Sequence, residues 1–226
     1  MIRAAKIAFF SSVFVLAACQ SQSANQAGEA SSERAERGEI TLASFNEDGS
    51  LNQPKNWRQW VFIGTPLTTH ELNGGNANFP EFHAVYIDPV SYDHYKKTGE
   101  FRDGTQIVKE LTLVRGHEGE PNNGKDPANG STVEASGRGF FMGEYSGLEI
   151  AIKDSKRFKD EPGNWAYFTW GHKPFPYDKT ASKFPAESCN ACHAANADDD
   201  WVFTQFYPVL RAAKSVEVGS DQANAS

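Results

Sequence analysis

Three residues near the end of the chain carry the most specific chemistry. Cys189, Cys192 and His193 stand in C-x-x-C-H spacing, the arrangement by which a c-type haem is attached through two thioethers with the adjacent imidazole as axial ligand. The same five letters also serve redox pairs and half zinc sites. A zinc site needs further soft ligands, and the sequence has no second Cys pair and no His-x-x-x-His. A disulfide across two intervening residues closes almost no loop. A thioredoxin-type pair belongs early, in a βαβ unit, whereas this pair sits late. The residues therefore point to haem c (iron), held by Cys189 and Cys192 and ligated by His193.

The ends of the chain support that reading through redox compartment. Residues 1–18 have the form of an export signal: Arg3 and Lys6, then about a dozen apolar-dominated residues, too few to span a bilayer. Leu16-Ala17-Ala18-Cys19 resembles the lipobox of bacterial lipoproteins, with Cys19 as the lipidated first residue of the mature protein. The expected location is the periplasm, with the protein anchored to a membrane by lipid only, the outer rather than the inner. Residues 19–44 read as a flexible tether, partly helical around Ser32–Arg37, residues 45–214 as one folded domain, and 215–226 as a disordered tail. The formal charge of −7 becomes −9 when Arg3 and Lys6 leave with the signal. An acidic exported chain without a basic stripe is not a nucleic-acid binder.

An iron that relays electrons carries two strong axial ligands. The only methionines are Met1 and Met142, and Met142 lies in an aromatic strand segment where filling core is its expected role. His94 falls on an exposed-looking helix, His117 in a polar loop, and His70 and His172 beside turns. An open sixth position follows, suited to catalysis or gas binding.

The elements that must position this chemistry are short. Expected strands are Trp57–Gly64, Phe82–Ile87, Gln106–Val114, Gly139–Lys153 (bent at Gly143 or Gly147) and Trp165–Gly171. Pro89–Lys97 is an expected helix with Pro at its start and Gly99 past its end; the haem motif lies on another, and Trp201–Lys214 on a third interrupted by Pro208. Gly116–Gly137 reads as a surface loop and Pro174–Pro185 as irregular. The fold class is α+β, a mainly antiparallel sheet with a few short helices.

Period-two reading of two strands finds misfits. Lys109 shares a face with Ile107, Leu111 and Leu113, either pointing inward or snorkelling along apolar surface. Glu149 sits between Gly147 and Ala151, facing either solvent or the space that small neighbours leave for a ligand. His83, beside Val85 and Ile87, is either a satisfied core histidine or a distal base.

Phe101-Arg-Asp-Gly-Thr followed by Val108-Lys-Glu-Leu resembles the cytochrome P-460 family, which is related to the cytochromes c′-beta. So do Tyr86-Ile-Asp-Pro, Phe141-Met-Gly-Glu-Tyr-Ser-Gly-Leu-Glu, Glu161-Pro-Gly-Asn-Trp-Ala and Phe203-Thr-Gln-Phe-Tyr-Pro-Val-Leu-Arg. The resemblance runs from about Phe45 to Ala213, with Gly116–Gly137 as an apparent insertion. It implies an exported haem c homodimer with a five-coordinate iron, a lysine cross-linked to a porphyrin meso carbon and a distal carboxylate, which map to Lys109 and Glu149. The family's distal arginine maps to His83, a departure. The implied activity is hydroxylamine oxidation to nitric oxide or nitrous oxide. Electrons would leave to an external acceptor such as a soluble cytochrome c. The alternative is a c′-beta-like protein that binds nitric oxide without turnover, capped by Phe79, Phe82 and Phe184.

Overall fold

A computed structural model describes residues 39–116 and 125–214. The signal segment, Cys19, the tether up to residue 38, His117 and the tail from 215 lie outside the described residues. Among those described, ten strands and three helices occur, and eight of the strands form one antiparallel sheet, so the α+β expectation holds. In chain order the strands are β1 (Ser44–Phe45), β2 (Leu51–Asn52), β3 (Val61–Gly64), β4 (Phe82–Ile87), β5 (Gln106–Val114), β6 (Thr132–Glu134), β7 (Gly137–Gly139), β8 (Met142–Lys153), β9 (Trp165–Thr169) and β10 (Thr180–Lys183). The helices are α1 (Pro89–Thr98), α2 (Ala186–Asn196) and α3, which covers 208–214. The large sheet runs β1-β2-β10-β9-β8-β5-β4-β3, and it curls enough for Glu81, before β4, to pair with His172, after β9. Among the described residues no helix is long and apolar enough to cross a membrane.

Where the pattern was strongest, the elements match. β4 and β5 have the expected bounds. The helix α1 begins where Asp88 accepts from the Ser91 backbone N–H (2.9 Å) with Pro89 in the first turn, and ends at Gly99 with φ 72°. The other Asp88 oxygen accepts from the Gln106 N–H (2.9 Å), so a single buried carboxylate ties the helix start to β5.

Four expectations need correction. Trp57–Gly64 is not one strand: Asn56 (φ 54°) starts a helical turn, Trp57–Gln59, and the strand begins at Val61. A continuous strand would send Trp57 and Trp60 to opposite faces, whereas the turn buries both in one core. The Gly116–Gly137 loop carries the β6–β7 hairpin in its described part. Pro174–Pro185 contains β10, whose Thr-Ala-Ser-Lys sequence buries only Ala181 and so gives no apolar alternation. Trp201–Lys214 is a turn at Thr204–Phe206 followed by α3, which Pro208 opens rather than interrupts.

The sheet carries a different core on each face. One contains Val108, Leu148, Ile150, Ile152, Phe168 and Trp170; the other contains Val85, Ile87, Ile107, Trp165, Tyr167 and Leu210. Adjacent residues of each strand divide between the two, as period two requires. β8 bends as expected: its register against β5 shifts between Leu111 and Thr112 and again before Val114.

Candidate functional site

The second face gathers the singled-out residues. Register places Val85, Lys109, Glu149 and Thr169 in one row across β4, β5, β8 and β9, with His83, Leu111 and Gly147 in the next. Lys109 Nζ lies 2.7 Å from Glu149 Oε2, and their side chains are 25% and 17% exposed. Both groups thus point inward, and the snorkelling and solvent-facing alternatives do not describe them. The Lys109 ammonium also stands 4.5 Å from the Phe79 ring centre.

The motif helix docks onto the same face. Asn190, between the two cysteines, is buried and donates to the Trp165 carbonyl at the start of β9 (2.8 Å). Glu187 in the first turn complements the helix dipole, and Ala197 N–H caps the last turn on His193 O. Spacing of three and four residues brings Cys189, Cys192 and His193 to one side of α2. Both cysteines are free thiols. Cys189 packs into the second core, its thiol held above the ordinary range by burial and by the nearby Glu149 charge.

His193 is the most constrained of the three. Its ring lies between Tyr167 (4.4 Å) and Phe203 (4.6 Å), and its Nδ1 is 2.7 Å from the Trp201 carbonyl oxygen. A carbonyl only accepts, so Nδ1 carries the proton and Nε2 keeps its lone pair. Burial holds the imidazole below its usual pKa, which favours the neutral form that ligates iron. Neither Tyr167 nor Phe203 stood out in the sequence, although period two places Tyr167 with Trp165. Nothing in the sequence marks the Trp201 carbonyl.

His83 lies beyond Lys109 on the same face. Its Nε2 is buried without a partner, and its ring meets Phe79 at 5.8 Å, edge to face. Burial, reinforced by the Lys109 charge, pushes its pKa down to about 4. This is not the satisfied core histidine of the plain reading. It is also a poor base at neutral pH; its free nitrogen is suited to accepting a hydrogen bond.

Other expectations change. Gly147 leaves no room for a ligand: a Cβ there would meet Leu111 Cδ1 at 3.0 Å and the backbone of Gly171 and His172. Met142 does not fill core; it is 48% exposed, seven residues before Glu149 on β8. His70 accepts from the Ala77 N–H, and His172 pairs with Glu81 at 2.6 Å. Of the expected cap, Phe79 is beside His83, and Phe184 packs in the core that includes Cys189. Phe82 is one residue from His83 on β4 and points to the other face.

The donor set fits haem c. Two free thiols and a tautomer-fixed imidazole sit on one helix face, against an apolar core, with an orphaned buried nitrogen on the same sheet face. Among the described residues no group of three or more His, Cys, Asp or Glu is placed to hold a metal ion. No curated protein matches the chain. The family model for cytochrome P460 matches residues 54–204, about two thirds of the sequence, from the turn before the first tryptophan to beyond the haem motif. The chain therefore belongs to the cytochrome P460 family, whose members bind haem.

Proposed function

We propose that this protein is an exported c-type haem enzyme that oxidises hydroxylamine. The observation that carries the reading is the inward-facing Lys109–Glu149 pair, 2.7 Å apart, on the sheet face where Cys189 and His193 pack. In this reading Cys189 and Cys192 would hold the haem through thioethers and His193 would ligate its iron. Bound there, the haem would supply a redox centre able to take up the substrate's electrons for an external carrier such as a soluble cytochrome c.

The chain's own residues manage protons. Oxidation to nitric oxide releases three protons and three electrons per hydroxylamine; oxidation to nitrous oxide releases two of each. Glu149 is the proton acceptor, held in place by Lys109, and His83 Nε2 accepts a hydrogen bond that orients the substrate N–H or O–H. After the Lys109 ammonium gives up one proton to solvent, a bond from its Nζ to a porphyrin meso carbon would replace one N–H and one C–H. The two electrons and two further protons would go to an oxidant of the peroxide class. Once so bonded, Lys109 is no longer an ammonium. Glu149 then loses its counter-charge, and the Lys109 contribution that depresses the His83 pKa disappears. The protein works as a homodimer tethered by a lipid on Cys19 to the periplasmic side of the outer membrane.

Phe79 favours a second reading. Its ring covers Lys109 and His83 and is the kind of apolar cap that suits capture of nitric oxide without turnover. Peptide mass spectrometry of the haem-loaded protein separates the two. A Cys189–Cys192 peptide that also carries the Lys109 peptide through the porphyrin, together with hydroxylamine turnover, supports the enzyme. Attachment through the cysteines alone, with nitric oxide bound and hydroxylamine untouched, supports the gas binder.

A further inference from the structure

We propose that Asp200 is a positioning residue: clamped by Lys153 and Trp165, it fixes the strained turn that holds the Trp201 carbonyl against His193. The inference rests on His193 being the axial ligand of a haem and is independent of the substrate.

The turn is strained. Asp200 (φ 43°) and Trp201 (φ 59°) are consecutive non-glycine residues in the left-handed region, a conformation that persists only where the surroundings impose it. Here they do. Lys153 Nζ donates to Asp200 Oδ2 in a short ion pair, and Trp165 Nε1 lies 3.4 Å from Oδ1. Lys153 and Trp165 are themselves register partners, the last residue of β8 and the first of β9, and the ammonium stands 5.6 Å from the indole centre. One cross-strand pair thus grips one carboxylate with both its members. The pair is little exposed, 17% for Lys153 and 23% for Asp200.

The rest of the turn is pinned as well. Asp199 Oδ2 accepts from Tyr95 Oη (3.2 Å) and from Lys214 Nζ (2.9 Å), and Val202 N–H closes back onto Asp199 O (2.8 Å). The Trp201 indole lies flush on Gly163, where a Cβ would come within 2.3 Å of Cε3. The Trp201 carbonyl is turned toward His193 Nδ1 at 2.7 Å, and Tyr167 Oη also reaches it at 3.4 Å.

The chemical consequence is on the other ring nitrogen. An Nδ1–H held on a fixed acceptor makes Nε2 a stronger donor and stabilises the ferric over the ferrous state. Strain stored between two strand ends becomes control of the axial ligand.

The test uses the full haem-loaded chain, with the iron–histidine stretching frequency of the reduced protein and its midpoint potential as readouts. D200A, which releases the clamp, should lower the frequency and raise the potential. K153M should move both in the same direction by less, because the Trp165 contact remains. D200N should stay nearest the parent, since Asn tolerates the left-handed conformation and keeps an acceptor for Trp165. If D200A loses stability while frequency and potential hold, the clamp is structural only and the proposal is overturned. If D200A does not fold, K153M decides on the same two readouts. A parent protein with no iron–histidine stretch would instead sink the assignment of His193, a separate failure.

Discussion

Glu110 and Glu149 lie on adjoining strands, one register step apart, and face opposite sides of the same sheet. Glu110 is 1% exposed and fully occupied: Arg58 grips both oxygens, with Nε 2.9 Å from Oε2, and Tyr177 Oη donates to Oε1 at 2.9 Å. Arg58 in turn stacks on Trp57 and Tyr145. Glu149 has Lys109, in a less enclosed setting, and near it are a thiol, an imidazole and the unpartnered His83 nitrogen. A carboxylate whose capacity is spent on the protein holds the fold; one with capacity left over is available for a reaction.

That contrast can be broken by substitution. The largest effect expected is on turnover: E149Q should cut hydroxylamine oxidation by about 10²–10⁴-fold, the usual worth of a positioned proton acceptor, with the chain still folded. Steady-state assays beside urea unfolding would show it, and unchanged turnover ends the proton-acceptor role. On the other face, R58A leaves a buried carboxylate with only Tyr177 and should cost about 3–5 kcal/mol in urea unfolding. A loss below about 1 kcal/mol would mean that the two carboxylates are not different in kind.

His83 sharpens the comparison through pH. Its folded pKa, about 4, lies below the ordinary value of 6.5, so between those limits the unfolded chain binds a proton that the folded chain refuses. Stability is fully present above pH 6.5 and falls as pH drops toward 4, by about 3 kcal/mol from this residue. Denaturation midpoints at pH 7 and pH 4.5 should separate more in the parent than in H83F; equal separation would contradict the depressed pKa. The smallest effect belongs to a pair on neither core. Lys173 and Asp178 are about half exposed, and K173A should shift stability by no more than about 0.5 kcal/mol in the same unfolding assay.

Local pattern carried far where one signal sufficed. The bounds of β4 and β5, the cap at Asp88 and Pro89, and the helix under the C-x-x-C-H motif followed from periodicity, turn chemistry and spacing. Lys109 and Glu149 were visible as misfits because strand alternation has a period of two, so a charge on the wrong side shows. The Trp57–Trp60 turn was missed because two aromatics three residues apart suit either a helical turn or a strand until a core chooses between them. β10 was missed because a four-residue strand that buries one alanine leaves no alternation to read, although it pairs with β2 on one side and β9 on the other.

By itself the sequence determined the C-x-x-C-H spacing, the α+β class and the two charged misfits on β5 and β8, since each depends on spacing along one strand or helix. Only the tertiary structure decided that Lys109 pairs with Glu149, that His83 keeps a nitrogen free, and that Gly147 serves backbone packing rather than a ligand. The same holds for the carbonyl under His193, which comes from a turn held open by Lys153 and Asp200, residues 47 positions apart. Contacts between elements distant in sequence depend on which strands become neighbours and how the sheet curls, and a single strand's alternation specifies its face but not its partner.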